Sequence, residues 1–334
     1  MQHECISRMI PFVPHPLIRH PHAMTLAPRW WPRHGLLRRT PCEPRLFTVA
    51  PDSRILGYCH WQPHCSQHPT LILVHGLEGS SESHYMRGIA AKAWLSGFNA
   101  IRINQRNCGG TEHETPTLYH SGLSGDLLAI ATELADKDGL DRLWFAGYSM
   151  GGNLVLRMAG EVGASLTSLK GVMAVCPNID PAACVTALEE RRNWIYHRHF
   201  LRSMQARLRR KVALFPGGFD VAGLSSIRSL RAFDDAYTAP DGGFLNAADY
   251  YERVGARHVL EQITVPTLIL TAQDDPFIPY RIFSIPPLAR NPSIHFVAPQ
   301  HGGHCGFLQQ PHAEEDMFWA ENRLIEFMKA REAG

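Results

Sequence analysis

The sequence predicts an α/β fold in which a mostly parallel, doubly wound sheet is interrupted by a helical insertion. Apolar strand-like runs alternate with segments of helical periodicity from residue 70 to residue 177. The alternation stops over residues 178–262, where the chain is helical, polar and irregular, and it then resumes. We therefore predict an N-terminal arm (1–40), a core (41–177 and 263–334) and a helical lid or cap (178–262).

Composition is that of an ordinary globular chain. The 334 residues fit one large α/β domain with an insertion, and a formal charge of +2 gives no global reason to expect a nucleic-acid partner. Eight scattered cysteines without a C-x-x-C pattern indicate a reducing, cytoplasmic compartment and no zinc motif. The N-terminus lacks the apolar core of a signal peptide. No run in the sequence approaches the length of about 20 apolar residues that a membrane-spanning helix needs.

The elements follow in order along the chain. The arm is rich in Pro, His and Arg, which predicts an irregular segment packed on the body. Two short strands at Leu46–Ala50 and Arg54–Trp61 flank a Pro-Asp-Ser turn. The alternating pattern then predicts six strands and four helices: strands Thr70–Val74, Asn99–Asn104, Leu143–Ala146, Gly171–Cys176, Thr267–Thr271 and Ile294–Val297; helices Tyr85–Ser96, Leu123–Ala135, Asn153–Gly160 and Met317–Lys329.

The segment GYSMGG at 147–152 lies between a predicted strand and a predicted helix. The pattern G-x-S-x-G in that context is typical of a nucleophile elbow, in which a strained turn exposes the serine and glycines make room for it. This predicts that Ser149 is a nucleophile. The other interpretation is a glycine-rich turn with a purely structural role.

Two backbone N–H groups are expected to form an oxyanion hole, because acyl transfer develops negative charge on the carbonyl oxygen. One should come from Met150, the residue after the nucleophile. The second should come from Leu77, in the His-Gly loop that follows the strand at 70–74.

An orienting acid and a histidine base are expected after two late strands, in the chain order Ser, Asp, His. Asp275 precedes Pro279 by four residues, a spacing common in such enzymes, and is preferred over the adjacent Asp274. The turn at Gly302-Gly303 favours His304 over His301, which is assigned a supporting or incidental role. The resulting chemistry requires neither a metal nor an organic cofactor.

These motifs, together with others along the chain, resemble the YheT-like α/β-hydrolases, a family that includes plant embryogenesis-associated proteins and related animal lipases. The resemblance implies an α/β-hydrolase fold with Ser149, Asp275 and His304 as the charge-relay set, acting on acyl esters or lipids. It rests on nine stretches in family order: PHAMTLAPRWWPR (21–33), HGLEGSSESHYMRG (75–88), NQRNCGGTE (104–112), YHSGLSGDL (119–127), GYSMGGN (147–153), FDDAYTAPDGGF (233–244), DYY (249–251), AQDDPF (272–277) and GGHCGF (302–307).

The insertion carries a basic segment, RRNWIYHRHFLRSMQARLRRK at 191–211, with aromatic and aliphatic residues interleaved and no acid. A solvated helix face is one interpretation. The other is a lid that contacts anionic lipid surfaces, or an acidic group of the substrate, and so makes peripheral membrane contact.

The sequence therefore predicts a serine hydrolase of short- or medium-chain acyl esters or acylglycerols. An alcohol O-acyltransferase would use the same three residues. A non-catalytic binding protein on a hydrolase scaffold is the alternative from another class, although all three catalytic positions are filled.

Overall fold

Eight strands form one sheet in the computed structural model, which describes residues 9–33, 36–38, 40–311 and 314–333. The strands are β1 (Glu43–Ala50), β2 (Ser53–His60), β3 (Thr70–Val74), β4 (Asn99–Ile103), β5 (Leu143–Tyr148), β6 (Leu169–Val175), β7 (Thr267–Leu270) and β8 (Ile294–Val297).

The strand order is β1-β2-β4-β3-β5-β6-β7-β8. The two pairings that involve β2 are antiparallel, and the remaining strands run parallel from β4 to β8. Every residue of β3, β4 and β5 is buried, as expected for parallel strands covered on both faces. The predicted fold class is confirmed, and the carboxyl ends of β3, β5, β6 and β7 meet along one edge of the sheet.

Helices cover this sheet and build the insertion. Within the core, α2 packs against α11 and α3 packs against α4. The helices are α1 (Pro21–Trp30), α2 (His84–Leu95), α3 (Ser124–Asp138), α4 (Met150–Val162), α5 (Pro181–Glu189), α6 (Trp194–Leu214), α7 (Leu230–Phe233), α8 (Ala239–Asp241), α9 (Ala247–Val254), α10 (Pro286–Arg290) and α11 (Trp319–Glu332), with a π-helical turn at Asp234–Thr238 between α7 and α8.

The N-terminal arm differs from its prediction, because residues 21–30 form a helix where we expected irregular structure. Pro21 occupies the first turn, where its missing N–H removes no helical hydrogen bond. Met24 is fully buried and packs with Leu308 and Phe318 of the core. Tertiary packing thus stabilises a helix in a segment whose prolines argued against one. The first eight residues of the predicted arm lie outside the described residues.

The insertion has its own apolar cluster, which extends to the core. Leu201, Met204 and Leu208 of α6 pack with Phe233 of α7 and with Phe277, which follows β7. The lid helices therefore bury apolar surface against a residue of the core next to Asp275. Among the described residues, no helix combines the length and the apolar character that a bilayer crossing requires.

Candidate active site

Ser149 lies at the sharp turn between β5 and α4. Its backbone dihedrals, φ 54° and ψ −116°, are ones that residues with a side chain rarely adopt. Its N–H donates to the carbonyl of Val175 at 2.8 Å, which ties the turn to β6. A Cβ atom on Gly147 would lie 2.1 Å from the carbonyl oxygen of Gly151, and one on Gly151 would lie 2.4 Å from that of Val74. The two glycines are required because backbone atoms approach them this closely.

The loop after β3 presents the Leu77 N–H group. The flanking amides are both occupied: Gly76 N–H donates to the Tyr85 hydroxyl at 3.1 Å, and Glu78 N–H donates to the Tyr119 hydroxyl at 2.8 Å. Within the described parts of the chain, the Leu77 N–H between them has no hydrogen-bond acceptor. The loop is thereby held with one donor left available to a ligand.

His75 fixes the start of the same loop. The ring is fully buried; its Nε2 accepts from Gln105 N–H at 3.1 Å, so the ring proton is on Nδ1, which donates to the Gly76 carbonyl at 2.7 Å. Burial lowers the pKa of His75 to about 4 and keeps the ring neutral near pH 7. This histidine therefore has a structural role in shaping the loop.

Asp275 and His304 form a close pair. The Oδ2 atom of Asp275 lies 2.7 Å from Nδ1 of His304. The other carboxylate oxygen accepts from the backbone N–H groups of Phe277 and Ile278, at 3.0 and 2.9 Å. Because the Asp275 side chain is fully buried and held by two backbone donors, its orientation toward His304 is fixed.

The electrostatics of His304 follow from this pairing. Burial disfavours the charged ring, but the charge and hydrogen bond of Asp275, together with the Cys176 side chain, outweigh burial and raise the pKa of His304 to about 9. The ring also contacts the Cys176 thiol and packs against the Phe277 ring, with centroids 4.1 Å apart. Among the hydrogen bonds of the described residues, none joins Ser149 Oγ to His304.

The neighbouring residues Asp274 and His301 form a second pair. Nδ1 of His301 lies 3.2 Å from Asp274, whose other oxygen accepts from Gly303 N–H at 2.9 Å. The His301 side chain is 45% exposed, whereas that of His304 is 12% exposed. The Asp274–His301 pair thus braces the loop at the surface, whereas the Asp275–His304 pair is buried.

Helix α1 supports the loop that carries His304, a role we did not predict. The Thr25 hydroxyl accepts from His304 N–H at 2.9 Å and donates to the Pro21 carbonyl at 2.7 Å. The sulfur of Met24 accepts from Leu308 N–H at 3.2 Å. The only advance signal was the family-like motif at 21–33, which gave no indication of its partner.

A cavity lies between the core and the lid. Ser149, Leu77 and Met150 all line it, and Met150 is the first residue of α4, so its N–H has no acceptor within the helix. The lining is largely apolar and includes Val185, Leu188, Phe200, Met204, Leu230 and Phe277.

A buried charge pair joins the lid to the Leu77 loop. Glu78 pairs with Arg207 of α6, and both side chains are buried. Glu78 also accepts from the hydroxyls of Ser203, at 2.5 Å, and Tyr119, at 3.0 Å. The Arg207 guanidinium lies 4.3 Å from the centre of the Tyr119 ring. Sequence reasoning missed this contact, since Glu78 and α6 are far apart along the chain.

This fold and this site define an α/β-hydrolase. A family model described as alpha/beta hydrolase fold matches residues 69–311, and the chain belongs to that family. Over 319 residues it is 30% identical to YheT of Escherichia coli (strain K12), a protein whose name proposes esterase activity; the match covers 95% of this chain and 92% of YheT. The resemblance to YheT-like proteins is confirmed.

Other relatives are named as phospholipases and esterases. Phospholipase ABHD3 of Mus musculus is 29% identical over 73% of this chain and 59% of its own length. Medium-chain fatty acid ethyl ester synthase/esterase 2 of Saccharomyces cerevisiae is 26% identical over 78% of this chain and 61% of its own length. The chain thus spans about three fifths of these two relatives, and it belongs to the esterase- and lipase-type α/β-hydrolases.

Solved structures show the same fold. Est1E from Butyrivibrio proteoclasticus aligns with a TM-score of 0.53 at 18% identity, covering 87% of this chain and 99% of Est1E. At that identity the likeness supports the fold only.

Proposed function

We propose that the protein is a serine hydrolase of carboxylic esters that works through an acyl-enzyme on Ser149. The observation that carries the proposal is the position of Ser149: it lies on a strained turn, in an apolar cavity, beside the Leu77 and Met150 N–H groups. Asp275 and His304 supply the remaining members of the charge-relay set.

The geometry supports a reaction in two steps. His304 takes the Ser149 proton as Oγ attacks the acyl carbon, and the Leu77 and Met150 amides stabilise the oxyanion. His304 then returns the proton to the departing alcohol as the C–O bond breaks. Water repeats the sequence on the acyl-enzyme and releases the carboxylic acid. Asp275 holds the imidazole tautomer and stabilises the charged ring throughout.

The substrate class follows from the cavity lining. The largely apolar lining suits the acyl chain of an ester or an acylglycerol, which we propose to be short or medium in length. An alcohol in place of water would convert the same acyl-enzyme into a new ester, which is the acyltransferase alternative. The yeast relative, named as both synthase and esterase, makes that partition worth measuring.

Labelling with a fluorophosphonate probe tests the nucleophile. We expect an adduct on Ser149 in the folded protein and none in Ser149→Ala, while Ser121→Ala, which removes a different serine from the same cavity, should label normally. On a panel of esters that differ in acyl length, Ser149→Ala should lower kcat by about 10⁴-fold or more. Activity that survives in Ser149→Ala would refute the mechanism, and product ratios with added ethanol would separate hydrolysis from acyl transfer.

The outer surface of α6 supports a second proposal, peripheral contact with an anionic membrane. Trp194 is 53% exposed and Ile195 is 61% exposed at the start of this helix, and the exposed cations Arg198 and Arg202 flank them. Apolar side chains next to basic ones are what an interfacial helix requires. Such contact would bring the cavity close to lipid esters.

A further inference from the structure

His304 lies next to two thiols that the proposed reaction does not use. Cys176 directly follows β6, and Cys305 directly follows His304. The two Sγ atoms and one ring nitrogen of His304 lie within 4.8 Å of one another. Both cysteines are free, Cys176 is fully buried and Cys305 is half-buried.

We propose that Cys176, Cys305 and His304 form a three-ligand site for Zn²⁺ or a similar thiol-seeking divalent cation, and that filling it switches the hydrolase off. The switching-off rests on the proposed function, whereas the binding of the metal does not.

The donor set and its spacing suit zinc. Thiolates and imidazole are preferred zinc ligands, and three protein ligands leave a fourth position for water. Zinc–sulfur bonds of about 2.3 Å and zinc–nitrogen bonds of about 2.0 Å place tetrahedral ligand atoms roughly 3.5 to 3.8 Å apart. The present separations of up to 4.8 Å therefore need to contract by about 1 Å. Side-chain rotations are sufficient for such a change.

The surroundings of the three ligands are already arranged for a metal. Cys305 N–H donates to the sulfur of Cys176 at 3.3 Å, a contact that stabilises a thiolate. Asp275 engages Nδ1 of His304 and leaves the Nε2 lone pair available, as in carboxylate–histidine–zinc sites. Both cysteines have positive φ, 47° and 57°, in the left-handed region that residues with a side chain rarely adopt.

Inhibition follows from the shared ligand. Zinc would occupy the Nε2 lone pair that must accept the Ser149 proton, and His304 could not act as a base while the metal is bound. Ser149 itself is not a ligand. Metal binding should therefore be unchanged in Ser149→Ala, which provides a readout independent of ester hydrolysis.

The test uses the full chain, treated with a chelator, kept reduced with a phosphine and then loaded with Zn²⁺ or Co²⁺. We expect about one equivalent of metal to remain after desalting, and the Co²⁺ form to show thiolate-to-metal charge-transfer absorption. Zn²⁺ should abolish ester hydrolysis in the wild type, and the chelator should restore it.

Variants identify the ligands. Cys176→Ala and Cys305→Ala should each lower zinc affinity at least about tenfold and remove the cobalt band. Cys59→Ala is the matched control, because it removes a similarly buried thiol from β2, outside the cluster. This variant should keep both the zinc affinity and the cobalt absorption band of the wild type. Thermal melts show whether Cys176→Ala folds. If it does not, the metal affinity of Cys305→Ala, a change at a less buried position, tests the proposal on its own.

Three outcomes would overturn the proposal: no retained metal, a cobalt spectrum without thiolate absorption, or zinc inhibition that persists in Cys305→Ala. If peroxide inactivates the wild type while zinc does not bind, the thiols form a redox pair and the metal assignment fails. An apoprotein without ester hydrolysis would refute the proposed function instead, and the cobalt spectrum would still test the site.

Discussion

The core and the lid contribute to the site by different means. In the core, backbone contacts fix each group assigned to the chemistry: Ser149 on its strained turn, Asp275 between two backbone N–H donors, and His304 through Thr25. The lid supplies apolar walls, together with Arg207 and Asp234. Changes in the core should therefore determine whether the reaction occurs. Changes in the lid should affect how firmly the Leu77 loop is held and how strongly the protein binds an anionic membrane surface.

The largest contrast should come from the two adjacent aspartates. Asp275→Asn should lower kcat by about 10⁴-fold, because the amide no longer holds the imidazole tautomer or stabilises the charged ring. Asp274→Asn should change kcat within about threefold, because Asp274 contacts the exposed His301 and the Gly303 N–H, and an asparagine oxygen can still accept from Gly303. Steady-state kinetics on one ester, with melting temperatures for both variants, make the comparison. Equal losses would mean that burial does not distinguish the two pairs.

Local signals explain why these core residues could be predicted. The bounds of β3 and β8 agree with the prediction, since each is a short run of apolar, β-favouring residues. Ser149 was marked by its flanking glycines and by the elements on either side. The spacing to a proline separated Asp275 from Asp274, and the structure brings Asp275 to His304. The catalytic roles of these residues stay predictions until the variants are measured.

Long-range contacts explain what the sequence did not predict. Thr25 supports His304 across 279 positions of the chain, and Glu78 meets Ser203 across 125. Neither contact leaves a periodicity or a spacing that one sequence can reveal. The arm was predicted to be irregular because its prolines were weighed without the packing of Met24 against Leu308 and Phe318.

The pH profile tests the charge pair at the centre of the core. Asp275 raises the pKa of His304 to about 9 against the effect of burial, and Cys176 and Cys305 are the other titratable groups beside the ring. Only the neutral ring accepts a proton, so kcat/KM should fall about tenfold per pH unit below that pKa and level off above it. Rates of ester hydrolysis between about pH 6 and pH 10 measure this. In Asp275→Asn the inflection should move to lower pH, and an unmoved inflection would assign it to another group.

Arg207→Met tests the connection between lid and core. The change leaves the Glu78 carboxylate buried without its cation, which typically costs about 3 to 5 kcal/mol. We expect a lower melting temperature and roughly tenfold lower kcat with little change in KM, because the Leu77 loop loses its support. The double variant Arg207→Met with Glu78→Gln should recover part of the lost melting temperature and part of the lost kcat, because the uncompensated buried charge is then removed.

Arg209→Met is the matched control, because it removes an exposed arginine from the same helix. It should leave both stability and kcat unchanged. Strictly additive effects of Arg207→Met and Glu78→Gln would show that the pair does not couple the lid to the oxyanion loop.

The smallest effect is expected at the outer face of α6. Each basic side chain near an anionic surface contributes about 1 kcal/mol, so Arg198→Gln should weaken binding to phosphatidylglycerol vesicles about fivefold. Trp194→Ala should weaken vesicle binding through lost apolar contact, whereas Leu95→Ala, at an even more exposed apolar residue on α2, should have no effect. Vesicle co-sedimentation at low and high salt provides the measurement. Equal binding to phosphatidylcholine vesicles would exclude an electrostatic role for α6, and the solvated-face interpretation would then account for its basic residues.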